Sequence, residues 1–91
     1  MVIISYDISD TKKRAKFNKY IKKFGNMLQY SVYEIDNSER ILSNIIADLN
    51  NKWKKIFDES DSVYVFKLSS SCKIEKFGYA KHEDEDLIII N

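Results

Sequence analysis

The chain has 91 residues, of which 44% are hydrophobic and 32% are charged. This balance is typical of a single folded domain spanning residues 1–91, and it excludes a disordered chain. The single cysteine, Cys72, excludes an internal disulfide bond and a cysteine-based zinc site, which indicates a reducing compartment, the cytoplasm. No apolar run reaches the roughly 18 residues of a membrane span, so we expect no association with a membrane.

The net charge of +1 conceals a strong separation of charge along the chain. Seven of the 15 basic residues fall between Lys12 and Lys23 with no acidic residue among them, whereas residues 83–86 are four consecutive acids. This separation predicts one basic face for an anionic partner and an acidic patch elsewhere.

Residues 2–8 are apolar and mostly β-branched, which predicts a buried strand with Asp7 near its C-terminal end. Ser9, Asp10 or Thr11 can cap the helix predicted over residues 11–24, and Gly25 is expected to end it by adopting a left-handed conformation. The apolar face of this helix contains Phe17, Tyr20, Ile21 and Phe24, and its other side carries Lys12, Lys16, Lys19 and Lys23.

The second half of the chain predicts one long helix between extended segments. Residues 26–36 favour extended structure, either as a tight hairpin of two short strands or as one kinked strand. Asn37 or Ser38 can cap a helix running to about residue 57, and strands are predicted over residues 63–68 and 72–79. The apolar stripe of this helix contains Leu42, Ile45, Ile46, Leu49, Trp53 and Ile56. The element order predicts an α+β, ferredoxin-like sandwich with two helices on an antiparallel sheet.

Residues 87–90 form a run of four large apolar side chains at the end of the chain. An exposed apolar strand with unpaired backbone groups promotes aggregation, so this segment is expected to pair with a sheet edge. We predict that it is exchanged with a second identical subunit in a homodimer, and pairing within its own chain is the alternative.

Asp7 is the most informative candidate for a functional residue. A carboxylate at the end of an apolar strand either caps or stabilises a loop, or binds a metal ion through oxygen. A single carboxylate is a weak site for Mg²⁺ or Mn²⁺, but a two-fold dimer that brings together Asp7 of both chains makes a usable one. For Asp10, helix capping is favoured over a role behind the metal site.

Basic and aromatic residues near Asp7 favour a nucleic-acid partner. Arg14 can hold a phosphate with two hydrogen bonds, and the nearby lysines add affinity that does not depend on sequence. Ser31 either contacts phosphate or assists the metal site, or it is an ordinary strand or turn residue. The predicted nucleic-acid-binding residues are Lys12, Lys13, Arg14, Lys16, Lys19 and Lys23. Tyr6, Tyr30 and Tyr33 can stack on bases, but strand aromatics more often fill a core, so stacking is expected for one of the three.

Taken together, these residues resemble the small CRISPR-associated endoribonuclease family. The resemblance rests on the run 2–8 followed by Asp10, Arg14, Gly25 and the run 29–34 (QYSVYE). It implies a ferredoxin-like homodimer in which Asp7 binds metal at the dimer interface, and it associates Tyr6, Arg14, Ser31 and Tyr33 with nuclease activity. It further implies metal-dependent cleavage of single-stranded RNA or double-stranded DNA, and a place as the central dimer of the CRISPR integrase complex during spacer acquisition.

The sequence departs from the family pattern at two places. Many members have arginine just before the Gln-Tyr-Ser run, where this chain has Met27 and Leu28, and a second arginine of the first helix is replaced by Lys16. Both departures weaken the prediction of strong catalysis. Two alternatives to an enzyme of CRISPR adaptation therefore stay open: a non-catalytic DNA-binding scaffold of the same complex, and a toxin-type ribonuclease of the same fold.

Overall fold

The structure is a computed structural model that describes residues 1–36, 38–75 and 77–78. Its sheet has four strands in the order β2-β3-β1-β4, and all neighbours are antiparallel. The strands are β1 (Val2–Asp7), β2 (Gly25–Gln29), β3 (Val32–Ile35) and β4 (Ser62–Lys67). The helices are α1 (Thr11–Ile21), α2 (Glu39–Asp48) and α3 (Lys54–Ile56), with a 3-10 turn at Lys22–Phe24 and a π-helical segment at Leu49–Trp53. The predicted ferredoxin-like α+β fold is confirmed.

The predicted caps hold both helices at their first turns. Asp10 caps α1, because its Oδ2 accepts a hydrogen bond of 2.8 Å from the backbone N–H of Lys13. Ser38 caps α2 and accepts from the N–H of Ile41 at 3.4 Å. The helical role favoured for Asp10 is therefore confirmed, and α2, the π-helical segment and α3 together cover the single long helix that the apolar stripe predicted.

The extended region 26–36 is a tight hairpin of two strands. Gln29 pairs with Val32, so Tyr30 and Ser31 form the turn, and the register shifts between Met27 and Gln29. Ser31 is the only residue other than glycine with a positive φ in the described part of the chain, at 65°. The structure thus answers the question that the sequence left open between a hairpin and a kinked strand.

Gly25 is required for a different reason from the one predicted. Its φ of 180° is extended rather than left-handed, so the expectation of a left-handed helix cap was wrong. A Cβ at this position would lie 1.9 Å from the carbonyl oxygen of Glu34 on the neighbouring strand β3. Glycine therefore allows the close approach of the two strands, and the 3-10 turn ends the helix.

The hydrophobic core lies between the two long helical segments and one face of the sheet. From the sheet, Val2, Ile4 and Tyr6 point into this core at alternate positions of β1. From the helices, Phe17 of α1 and Trp53 of the π-helical segment meet edge to face, with ring centroids 4.9 Å apart. This packing fixes α1 against β1, which positions the start of the helix beside the C-terminal end of the strand.

The opposite face of the sheet carries exposed aromatic side chains. Residues paired directly across antiparallel strands share a face, and Ile3 and Ser5 pair with Phe66 and Tyr64 of β4. Tyr64 is 61% and Phe66 44% exposed, and their ring centroids lie 6.0 Å apart. Asp7 is on this same face, because side chains alternate along a strand.

Some predictions fall on residues that the structure does not describe. The exchanged strand 87–90 and the acidic segment 83–86 lie outside the described residues. Of the predicted strand 72–79, the structure describes 72–75 and 77–78, and within these ranges only Ile74 makes an isolated β-bridge. Among the described residues, no helix combines the length and apolar character needed to cross a membrane.

Candidate active site

An open cavity of about 600 Å³ lies where the C-terminal end of β1 meets α1 and the β2–β3 turn. Four of the five residues predicted to be catalytic line it: Tyr6, Asp7, Arg14 and Ser31. The fifth, Tyr33, is buried and is not among the lining residues, but its hydroxyl group donates a hydrogen bond to Asn18, which lines the cavity. The fold therefore gathers residues that are up to 25 positions apart in the sequence.

Asp7 ends β1 and presents an exposed carboxylate. No described residue donates a hydrogen bond to it or forms an ion pair with it, so the structure gives no support to a capping or loop-stabilising role. In the described ranges, no three or more histidine, cysteine or acidic side chains cluster so that they could hold a metal ion. Asp7 is the one carboxylate in the described lining, which alone is a weak site for Mg²⁺ or Mn²⁺ and needs a second carboxylate or a substrate phosphate beside it; the lining has none of the histidine or cysteine ligands typical of zinc.

Arg14 is held by the end of the strand that carries Asp7. Its Nη1 donates to the backbone carbonyl of Ile8 at 3.1 Å, and the guanidinium lines the cavity. This hydrogen bond uses one of the five N–H donors of the planar guanidinium. The remaining donors suit an oxyanion such as phosphate.

Tyr6 and Tyr33 are core residues whose hydroxyl groups meet at one atom. The Oδ1 of Asn18 accepts from Tyr6 Oη at 2.9 Å and from Tyr33 Oη at 2.5 Å. Burial raises the pKa of Tyr6 to about 12, and the neighbouring Tyr33 adds to the rise. Tyr6 is thus a protonated hydrogen-bond donor at neutral pH and not a general base.

The exposures of the three tyrosines decide which of them can stack on a base. Tyr6 and Tyr33 are only 6% and 1% exposed, whereas Tyr30 is 65% exposed at the turn beside the cavity. One tyrosine of the three is therefore available for stacking, and it is Tyr30. Next to it, the carbonyl of Ser31 accepts from the N–H of Tyr6 at 3.0 Å, which ties the turn to β1.

The predicted basic residues divide into two groups. Lys12, Lys16, Lys19 and Lys23 are exposed, and none of them forms an ion pair with a described residue. Lys13 instead lies 2.7 Å from Asp61 and 3.2 Å from Asp58, and the hydrogen bond to Asp61 is the main cause of its raised pKa. Its charge is balanced within the protein, so it offers less to a phosphate than the other four lysines.

Two lining residues of the cavity were not among the predicted ones. Thr11 and Asn18 lie on α1 with Arg14 and Ala15, at spacings of three and four that place them on one face of the helix. This third face lies between the apolar and lysine faces, and its three- and four-residue spacing is already visible in the sequence. Asn18 was missed because a lone asparagine in a helix has no chemistry by itself that marks it.

Comparisons with known proteins agree with this geometry. The sequence model of the family "CRISPR associated protein Cas2" matches residues 1–76. CRISPR-associated endoribonuclease Cas2 3 of Chloroflexus aurantiacus is 38% identical over 69 residues, which cover 72% of this chain and 68% of that protein.

Solved structures show the same fold. A hypothetical protein from Thermus thermophilus has a TM-score of 0.69 and 26% identity, covering 89% of this chain and 93% of that one. Cas2 from Streptococcus pyogenes has a TM-score of 0.60 and 25% identity, covering 77% of this chain and 87% of that one. The sequence resemblance is confirmed, and the chain belongs to the CRISPR-associated protein Cas2 family.

Proposed function

We propose that this protein is a metal-dependent endonuclease of RNA or DNA that acts in CRISPR adaptation as a homodimer in the cytoplasm. One observation carries the proposal: the cavity collects Asp7, Arg14 and Ser31 at the end of β1 in a chain of this family. Relatives of the chain are named endoribonucleases, which supports cleavage of a phosphodiester.

Each lining side chain has a distinct task in this proposal. Arg14 holds a phosphate through its remaining guanidinium donors, and the exposed ring of Tyr30 stacks on an adjacent base. The hydroxyl group of Ser31 contacts the same phosphate. Asp7 would hold Mg²⁺ or Mn²⁺, which when bound would polarise the phosphate and activate water.

The exposed face of the sheet supports a second copy of this chain as its occupant. Tyr64 and Phe66 expose an aromatic pair that is unusual on a monomer surface, and Asp7 lies on the same face. A two-fold axis on this face places the two Asp7 carboxylates in one interface, as a two-carboxylate metal site requires. The strand exchange predicted for residues 87–90 adds to this dimer and stays a prediction.

A non-catalytic scaffold within the integrase complex is the second candidate. It is favoured by the four exposed lysines Lys12, Lys16, Lys19 and Lys23, and by the fact that Asp7 is the one carboxylate among the described residues that line the cavity. In this role the dimer holds duplex DNA between integrase subunits by phosphate contacts alone. The family assignment favours both roles over a toxin-type ribonuclease, and a CRISPR array beside the gene, rather than an antitoxin gene, would agree with it.

A cleavage assay tests the enzymatic proposal. The purified protein is incubated with single-stranded RNA and with duplex DNA, in Mg²⁺, in Mn²⁺ and in EDTA. We expect metal-dependent cleavage that falls by on the order of a hundredfold or more in Asp7→Asn. Asp36→Asn, the same change at an exposed aspartate outside the cavity, is the matched control and should cleave normally. Equal activity in Asp7→Asn and the wild type would overturn the proposal.

A separate measurement of spacer acquisition tests the scaffold. Spacer acquisition is measured in Asp7→Asn and after deletion of residues 87–91. If the first variant acquires spacers and the second does not, the structural role is the one needed in the cell. The triple change Lys12→Glu, Lys16→Glu and Lys19→Glu reverses the exposed lysine face. Normal acquisition in this triple variant would contradict a grip on DNA through that face.

A further inference from the structure

The side chain of Asn18 has an orientation that the surrounding protein dictates. Both Tyr6 and Tyr33 direct their hydroxyl groups at its Oδ1, at 2.9 and 2.5 Å. A phenol has one hydrogen to donate, and a carbonyl oxygen has two lone pairs to accept with. The two tyrosines therefore use the full accepting capacity of this oxygen.

The other end of the same amide has no partner among the described residues. Because the oxygen faces the two buried phenols, the NH₂ group faces away from them, and Asn18 lines the cavity. Neither of its two N–H donors is in a hydrogen bond with a described residue. Turning the amide over would direct its N–H groups at the two phenolic oxygens and remove the acceptor that both O–H groups now use, so the fold favours the observed orientation.

Arg14 is one helical turn before Asn18, so the two side chains lie on the same face of α1. The NH₂ group of Asn18 and the guanidinium of Arg14 thus offer hydrogen-bond donors to the same cavity, with Thr11 on the same helix face. A cluster of a cation and neutral donors suits an oxyanion with several acceptor oxygens, of which the phosphodiester is the example in nucleic acid.

We propose that Asn18 is a substrate-binding residue, whose side-chain NH₂ donates to a phosphate oxygen of the bound nucleic acid while Tyr6 and Tyr33 fix its orientation. This proposal rests on the proposed function, because it takes the nucleic acid to bind in the cavity. It gives the two buried tyrosines a role in positioning Asn18, and it adds a contact that acts on RNA and DNA alike.

The variant Asn18→Asp isolates the donor. Its carboxylate keeps an oxygen that accepts from both tyrosines, and it replaces the NH₂ group by an oxygen that repels phosphate. We expect the dissociation constant for a short single-stranded RNA to rise about ten- to a hundredfold, with the thermal unfolding midpoint little changed. Asn44→Asp makes the same charge change at an exposed position of α2 and should alter binding by no more than about twofold.

Tyr33→Phe tests the positioning role without touching the nucleic acid. It removes one of the two hydrogen bonds that fix the orientation of the Asn18 amide, so we expect severalfold weaker binding of the RNA. Tyr20→Phe also removes a hydroxyl donor from a half-buried tyrosine, one that bonds Asp48 at 2.6 Å outside the cavity, and it should bind as the wild type does. Equal binding by Tyr33→Phe and Tyr20→Phe would contradict the positioning role.

A measurement on the wild type keeps the test independent of any variant's folding. In ¹⁵N-labelled protein, the side-chain NH₂ resonances of Asn18 should shift when the same RNA is added, while those of Asn44 should not. If the wild type binds RNA with no shift at Asn18, or if Asn18→Asp binds as Asn44→Asp does, the inference fails and the proposed function stands. If the wild type binds neither RNA nor DNA, the proposed function itself fails.

Discussion

Two polar clusters flank the start of α1, and they differ in how their charges are balanced. One is the loop network, formed by Ser9, Lys13, Asp58, Ser60 and Asp61. The other is the cavity that contains Asp7 and Arg14. In the loop network each charged group has a protein partner, whereas in the cavity Asp7 has none among the described residues and Arg14 holds only a carbonyl.

The loop network contributes to the stability of the fold, whereas the cavity is available to bind a ligand. Hydrogen bonds from Ser60, and then one from Lys13, lower the pKa of Asp58 to about 2, and a hydrogen bond from Lys13 is the main cause of the lowered pKa of Asp61. Those carboxylates are thus stabilised in their charged form by the fold itself. In the cavity, the carboxylate of Asp7 has no hydrogen-bond or ion-pair partner among the described residues, so its hydrogen-bonding capacity is left for a ligand.

The largest effect that distinguishes the two clusters is expected for Arg14→Lys, and it concerns the affinity for RNA. The change keeps the charge but removes the planar fork that can hold one phosphate with two hydrogen bonds, so affinity for RNA should fall by about tenfold. Arg40→Lys at an exposed position of α2 is the matched control and should bind normally. Fluorescence titration of a labelled RNA measures both, and equal affinities would argue against a phosphate at Arg14.

A change in the loop network should have the opposite result. Asp61→Asn removes the charge that pairs with Lys13 at 2.7 Å, so the thermal unfolding midpoint should fall by a few degrees. The folded variant should still bind and cleave as the wild type does, because no atom of the network lines the cavity. Calorimetry and the cleavage assay together check this, and a loss of cleavage without a loss of stability would contradict the division between the two clusters.

Acid should remove the contribution of the loop network to stability. The folded-state pKa values of Asp58 and Asp61 are depressed, so the stabilisation is complete above the unfolded value of 3.8 and is lost as pH falls toward about 2. The wild type should therefore be more stable than Lys13→Gln at neutral pH, and the difference should shrink between about pH 4 and pH 2. Urea unfolding at several pH values measures this, and a difference that stays constant would mean that Lys13 does not act through these carboxylates.

The smallest effect is expected at Ser31, which has backbone strain at the edge of the cavity. Its φ of 65° is costly for a residue with a Cβ, so Ser31→Gly should change the free energy of unfolding in the stabilising direction by less than about 1 kcal/mol. Cleavage should fall at the same time, because the hydroxyl group is lost. Urea unfolding and the cleavage assay test the pair of effects, and unchanged cleavage would remove Ser31 from the proposed site.

Much of the fold follows from periodicity and caps. The apolar, β-branched run 2–8 and the three- and four-residue spacing in α1 predicted the elements correctly, because burial selects apolar side chains in both. Gly25 was assigned to the right boundary for the wrong reason, since a contact between β2 and β3 is invisible in a local pattern. The hairpin turn at Tyr30 and Ser31 was equally ambiguous, because serine is an unusual choice for a positive φ.

The site was less predictable than the fold. Asp7, Arg14 and Ser31 were predicted from their chemistry and position and then from the family resemblance, and they lie together, but nothing in the sequence pairs Lys13 with Asp61 across 48 positions. The number of lysines in a segment does not show which of them are paired with a carboxylate elsewhere in the fold. Asn18 acquires its meaning from two tyrosines on different strands, a relation that exists only after folding.

The most direct test is a map of backbone amide shifts in the ¹⁵N-labelled wild-type protein during titration with single-stranded RNA in Mg²⁺. The account predicts that the largest shifts occur at Asp7, Arg14, Tyr30 and Ser31, around the cavity, with small changes at Asp58 and Asp61. Shifts centred on the loop network, with the cavity residues unaffected by bound RNA, would contradict it.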